Sequence, residues 1–170
     1  MSIELPNDNR YHLQPGYIYC SPTQAMVHTV VGSCVSVCVW DRHLKYGAMN
    51  HFLYPSIDDP NRATPIYGNV ATAEMVRMMQ ESGSAIEDLV AQILGGACPK
   101  GNQENPVGLQ NVAVARQVLT RKGVEIISVD TGGTMGRKVV FDTNSGHVMT
   151  LKVHRIREAD WSNMDSTPNT

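Results

Sequence analysis

The sequence predicts a single α+β domain. Short apolar runs rich in β-branched residues, with near period-two alternation, recur in the first third of the chain and again after residue 123. Between them, two longer stretches repeat apolar residues at helical spacing and end on glycine. The chain has 170 residues, 42% of them hydrophobic and 18% charged, which suits one packed core and excludes disorder along the whole length.

In chain order, residues 1–16 are expected to be a flexible leader. Tyr17–Cys20 predicts a short edge strand, broken by Ser21-Pro22-Thr23, and Ala25–Val31 predicts a second strand. Gly32-Ser33 punctuates. Cys34–Trp40 then predicts a strand with Cys34, Ser36, Cys38 and Trp40 on one face and Val35, Val37 and Val39 on the other. Asp41–Lys45 is a polar connection that suits a hairpin into Tyr46–Tyr54. A turn centred between Arg42 and His43 sets Cys34 opposite His51, and a slip of one residue would put them on different faces. Pro55–Pro65 is a loop. Asn69–Ser82 predicts a helix capped by Asn69 and stopped by Gly83, with Met75, Met78 and Met79 as core filler. Ser84–Glu87 matches a capping box, and Ile86, Leu89, Val90, Ile93 and Leu94 by spacing alone argue a helix ending at Gly95-Gly96. Pro99–Asn105 is loop-like. Pro106–Lys122 predicts a second firm helix with Gly123 just past its end. Val124–Asp130 predicts a strand, followed by a glycine-rich loop over 131–137. Lys138–Asp142 and His147–His154 predict a hairpin around Thr143–Gly146. Residues 17–158 are expected to form the one domain and 159–170 a disordered tail.

The formal net charge of −2 gives no reason to expect nucleic acid or an anionic membrane as partner. No apolar run approaches the roughly 20 residues of a membrane span, so no membrane insertion is expected. Met1–Arg10 lacks the basic start and apolar core of a signal peptide, and a cytoplasmic protein is expected. Cysteines lie at 20, 34, 38 and 98 without a CxxC pair, and the six histidines show no HxH or HExxH spacing. Neither a metal nor another cofactor is expected. The loop Thr131–Arg137 leads into a strand rather than a helix, so it reads as structural and not as a phosphate cradle. Asp58 and Asp59 read as an exposed acidic turn.

Cys34 and His51 are different. A free thiol has a pKa near 8.5 and needs a neighbouring base to act as a nucleophile at neutral pH. Cys34 follows a Gly-Ser turn, whose backbone N–H groups can face a substrate oxygen. His51 lies in the adjoining apolar run. Together they have the minimum parts of a thiol nucleophile and its base.

At these residues the chain resembles the CheD family of chemoreceptor glutamine deamidases. The resemblance rests on Gly32-Ser33-Cys34-Val35, Gly47-Ala48-Met49-Asn50-His51-Phe52, Tyr67-Gly68, Gly95-Gly96-Ala97, Val107-Gly108 with Asn111, and Asp130-Thr131-Gly132-Gly133 with Gly136-Arg137. It implies sandwich-like layered β-sheets with two main flanking helices, a fold shared with the catalytic domain of cytotoxic necrotizing factors. It makes 89–94 a strand after a short turn, against the helical spacing. It implies a protein-glutamine glutaminase acting on the cytoplasmic helices of chemoreceptors, with CheC as a second partner. Cys34 would be the nucleophile and His51 its base. The family's third catalytic residue is a threonine shortly before the Gly-Ser-Cys turn. Thr29 lies five residues before Cys34, whereas a spacing of six lands on His28; Thr29 is taken. Gln92, where the family often has lysine, is a departure. The rival expectation is a non-catalytic adaptor that docks on receptors or CheC.

Overall fold

The structure, a computed structural model, describes residues 9–99 and 106–154. The described strands are β1 (Arg10–His12), β2 (Ile18–Ser21), β3 (Met26–Val31), β4 (Val35–Asp41), β5 (Tyr46–Asn50), β6 (Leu89–Gly95), β7 (Glu125–Thr131), β8 (Gly136–Asp142) and β9 (Val148–Val153). The helices are α1 (Gly68–Glu81) and α2 (Val107–Lys122). The strands form two sheets, one in the order β1-β3-β8-β9 and one in the order β2-β5-β4-β6-β7.

Alternation along the strands stacks these parts into three layers. Val27 and Val31 of β3, with Val139 and Phe141 of β8, meet Cys38, Met49 and Leu94 of the larger sheet. The opposite face of that sheet carries Val35, Val37, Val39 and Ile93. It packs on Met75 and Met79 of α1 and Ala115 and Leu119 of α2. Each fully buried Val, Leu, Ile, Met or Phe among these contributes roughly 1.5–3 kcal/mol. Sheet, sheet and a helical layer match the expected α+β sandwich with two flanking helices. The face assignment along β4 follows the expected alternation.

Several local expectations are corrected. Residues 89–95 form a strand after a short turn at Ile86–Asp88, as the resemblance implies and against the helical spacing. Leu89–Gly95 lies between β4 and β7 with core on both faces, so its apolar run carries no period of two. Ser84 caps nothing: its hydroxyl donates to Asp41 Oδ2 (2.6 Å) and lies 2.8 Å from Tyr46 Oη. Asn69 does not cap α1, which starts after Tyr67. Instead the Asn69 amide bonds both backbone groups of Ile57. At the other end of the chain, the expected leader supplies β1, which pairs in parallel with β3, and Leu13 beyond it is 1% exposed. Residues 1–8 and 155–170 of the domain assignment, and 100–105 of the expected loop, lie outside the described residues.

The β4–β5 hairpin also departs from the expected register. Asp41 Oδ1 accepts from the N–H groups of His43 and Leu44, and Lys45 adopts a left-handed φ of 57°. The loop is therefore the four residues 42–45, closed by the pair Asp41–Tyr46. The turn centre moves by one residue and the register by two. Val35 now faces Phe52, and Cys34 and His51 become diagonal rather than direct neighbours. A shift of two preserves the face, so the pair stays on one side of the sheet.

Candidate active site

Cys34 stands at the mouth of β4, between two strands that tie its backbone down. Its carbonyl accepts from Gly96 N–H (2.8 Å), and Gly32 O accepts from Ala97 N–H (2.8 Å). The next residue, Val35, exchanges both backbone bonds with Phe52. The Cys34 side chain is half-buried and lines a pocket of about 290 Å³. Leu53, Tyr54, Cys98 and the first residues of α2, Val107 and Gly108, line the same pocket.

His51 lies where the β4–β5 ladder is interrupted. The regular bonds stop at Cys38–Met49. Asn50 then substitutes side chain for backbone: its Oδ1 accepts from Val37 N–H (2.8 Å), and its carbonyl accepts from Ser36 Oγ (2.6 Å). The His51 carbonyl is taken instead by Gly16 N–H (2.8 Å). The imidazole points into the interface between the sheets and is 1% exposed. There its Nδ1 lies 2.7 Å from Thr29 Oγ1, a contact from β3 of the opposite sheet. Thr29 Oγ1 is also 2.9 Å from the Leu13 carbonyl, to which it donates.

Of the two candidates upstream of the turn, the structure brings Thr29 to His51. His28 points from the other face of β3, where its ring lies 5.4 Å from that of His12.

Burial sets the electrostatics. Loss of solvent lowers the His51 pKa from 6.5 to about 4. Burial also raises the Cys34 thiol pKa, partly offset by a backbone hydrogen bond at Cys34 itself. Both groups are thus neutral at pH 7, a thiol beside a free-base imidazole rather than a standing ion pair. Cys38, four residues deeper, is fully buried and its pKa is pushed far up, which leaves it an inert packing group.

Two contributors were given no role by sequence reasoning, although Asn111 belongs to one of the family-like motifs. Asn111 of α2 is fully buried and donates from Nδ2 to Ser33 O (2.9 Å) and Leu53 O (3.0 Å). It clasps the turn before Cys34 to the segment after His51. A signal was available: residues 111, 115 and 119 share one stripe of α2, and an asparagine on a buried apolar stripe needs partners. The Leu13 carbonyl had no comparable sequence signal. The glycine-rich loop after β7 is braced from within. Arg137, 2% exposed, bonds Asp130 and the carbonyls of Gly132 and Met135. Asp59 caps a short 3-10 turn at Pro60–Arg62. Among the described residues, no group of three or more His, Cys, Asp or Glu side chains is placed to hold a metal ion. No described helix is long and apolar enough to cross a membrane.

A pocket-facing thiol, a buried neutral imidazole on the same sheet face and a hydroxyl on that imidazole are the parts of a cysteine-nucleophile site. Here they sit on a layered α+β scaffold. Within that class the chain belongs to the CheD family: residues 55–152 match the family model described as CheD chemotactic sensory transduction. It is 34% identical over 147 residues to a protein of Sulfurimonas denitrificans, covering 85% of this chain and 94% of that one. It is 34% identical to a protein of Trichlorobacter lovleyi, covering 82% of this chain and 88% of that one. A protein of Rhodospirillum rubrum is 37% identical, over 83% of this chain and 81% of that one. Each of the three is named "Probable chemoreceptor glutamine deamidase CheD". The model match begins after His51 and does not reach Thr29, Cys34 or His51.

Proposed function

We propose that this chain is a protein-glutamine glutaminase. It converts glutamine side chains of chemoreceptors to glutamate in bacterial chemotaxis, through a thioester on Cys34. The observation that carries the reading is the buried His51 imidazole, held at Nδ1 by Thr29 on the same sheet face as Cys34.

In this reading His51 takes the thiol proton as Cys34 Sγ attacks the carboxamide carbon. Starting from two neutral partners, charge appears only along the reaction coordinate, where Thr29 steadies the imidazolium that forms. The oxyanion meets backbone N–H groups of the Gly32–Cys34 turn and of the first turn of α2 across the pocket, a stabilisation of about 3 kcal/mol per donor. His51 then protonates the departing ammonia. Water attacks the thioester with His51 as base, giving glutamate and the free thiol. No step calls on a metal or other cofactor. The working unit takes in residues 17–158 together with β1. It acts in the cytoplasm, where the receptor helices lie, and CheC is its proposed second partner, testable by co-purification.

The test is mass spectrometry of a receptor cytoplasmic fragment incubated with wild type and with Cys34→Ala. A gain of about 1 Da at a glutamine with wild type, absent with the variant, is the expected result. Binding of the fragment without any mass change would leave the adaptor reading and remove the enzymatic one.

A further inference from the structure

The Thr29 hydroxyl has one proton and two close neighbours, and that count fixes the direction of the whole chain of hydrogen bonds. One neighbour, the Leu13 carbonyl at 2.9 Å, can only accept. The hydroxyl proton must therefore point at Leu13. The second neighbour, His51 Nδ1 at 2.7 Å, can then be bonded only if it donates its own N–H to Thr29. With the proton on Nδ1, the lone pair sits on Nε2, the nitrogen a base must use toward the thiol. The opposite tautomer would bring a bare Nδ1 against Thr29 Oγ1, whose proton is already committed. A buried polar contact of that kind is unfavourable.

The segment that supplies the carbonyl is itself held at both ends. Leu13 N–H bonds His28 O (2.8 Å), next to Thr29 in β3, and the Leu13 side chain is 1% exposed. Three residues on, Gly16 N–H bonds the His51 carbonyl (2.8 Å). One short strap therefore touches the backbone beside Thr29, the Thr29 side chain and the backbone of His51.

We propose that Leu13–Gly16 is a positioning strap of the active site, whose Leu13 carbonyl orients the Thr29 hydroxyl and so holds His51 in the Nδ1–H form that presents Nε2 to Cys34. This rests on the reading of Cys34, His51 and Thr29 as the catalytic set. The strap touches no substrate atom and acts through Thr29 and His51.

The first test uses the full-length protein with 15N-labelled histidine. Long-range 1H–15N correlation at pH 7, with His51 assigned by its loss in His51→Gln, should show His51 wholly as the Nδ1–H tautomer. An Nε2–H or mixed population would overturn the proposal. In Thr29→Ser the tautomer and most turnover should persist, because serine donates in the same way. In Thr29→Val the tautomer should become mixed; an unchanged tautomer there would show that Thr29 merely packs. Replacing the Gln14 amide by an ester weakens the Leu13 carbonyl as acceptor without altering a side chain. We expect kcat to fall about tenfold with KM unchanged, the size of one hydrogen bond of about 1.4 kcal/mol. Full kcat with a pure Nδ1–H signal in the ester would refute the strap. If instead Cys34→Ala still deamidates, the catalytic reading fails, and the tautomer result still judges the strap on its own.

Discussion

Asn111 offers the sharpest single perturbation. Its amide nitrogen has two protons, and both are used, on Ser33 O and Leu53 O. Removing it leaves two half-buried carbonyls without that donor. Each bond is worth about 1 kcal/mol net, so Asn111→Ala should lose roughly 2–3 kcal/mol. For a domain of this size that is a fall in Tm of roughly 4–12 °C. The same substitution uncouples the Cys34 turn from the His51 segment, so turnover should drop more than substrate binding. Two further variants separate causes. Asn111→Leu refills the volume but restores no donor, and should remain destabilised. Asn111→Asp at neutral pH sets a carboxylate against two carbonyl oxygens and should be the worst of the three. Measured against wild type at each pH, it should recover in part under acid conditions, where the protonated carboxyl regains one O–H donor. Thermal unfolding of the three variants with parallel deamidation kinetics is the assay. If Asn111→Leu matches wild type in both stability and turnover, the residue is only a filler and the clasp argument is wrong.

Two further outcomes follow from the same geometry. His51 has a folded pKa of about 4 against 6.5 when unfolded, so between those values the unfolded chain binds more protons and stability falls as pH drops from 6.5 to 4. The loss is on the order of 3 kcal/mol, levels off below pH 4, and should vanish from the pH–stability curve of His51→Gln. Gly108→Ala should push α2 off the site, because its Cβ would stand 2.5 Å from Gly96 O and 2.6 Å from Ala97 O, both rigid backbone. A Tm loss of a few degrees with a larger loss of turnover is expected, and an unaffected enzyme would show that the first turn of α2 is not held against the pocket.

Much of the fold was legible because it is local. The alternation through Cys34–Trp40 placed both thiols on one face. Helical spacing with terminal glycines found both helices, and Gly123 ends α2 with φ of 80° as expected. What failed was non-local. The β6 segment is buried on both faces, so its spacing imitates a helix, and only resemblance to a family put it right. The hairpin register depended on Asp41 drawing two backbone N–H groups into a four-residue loop, a side-chain choice that counting cannot see. Spacing could not choose between Thr29 and His28, because the distinction is which face of β3 each occupies. The strap was read as a leader because Leu13–Gly16 is short and aperiodic. Its role comes from partners 15 and 35 positions away along the chain, His28 and His51.

The Thr29–His51 contact joins the two sheets across their interface. Each sheet keeps its own backbone ladder, so a slide of one over the other breaks no strand pairing. Starting from 2.7 Å, a slide of about 1 Å along the bond carries it past the limit of a hydrogen bond. The site is thus a mechanical gauge of how the two halves lie on each other. Load applied to the smaller sheet reaches His51 through Thr29 and Cys34 through the Gly32-Ser33 turn that continues β3, so both partners of the site feel how the sheets lie.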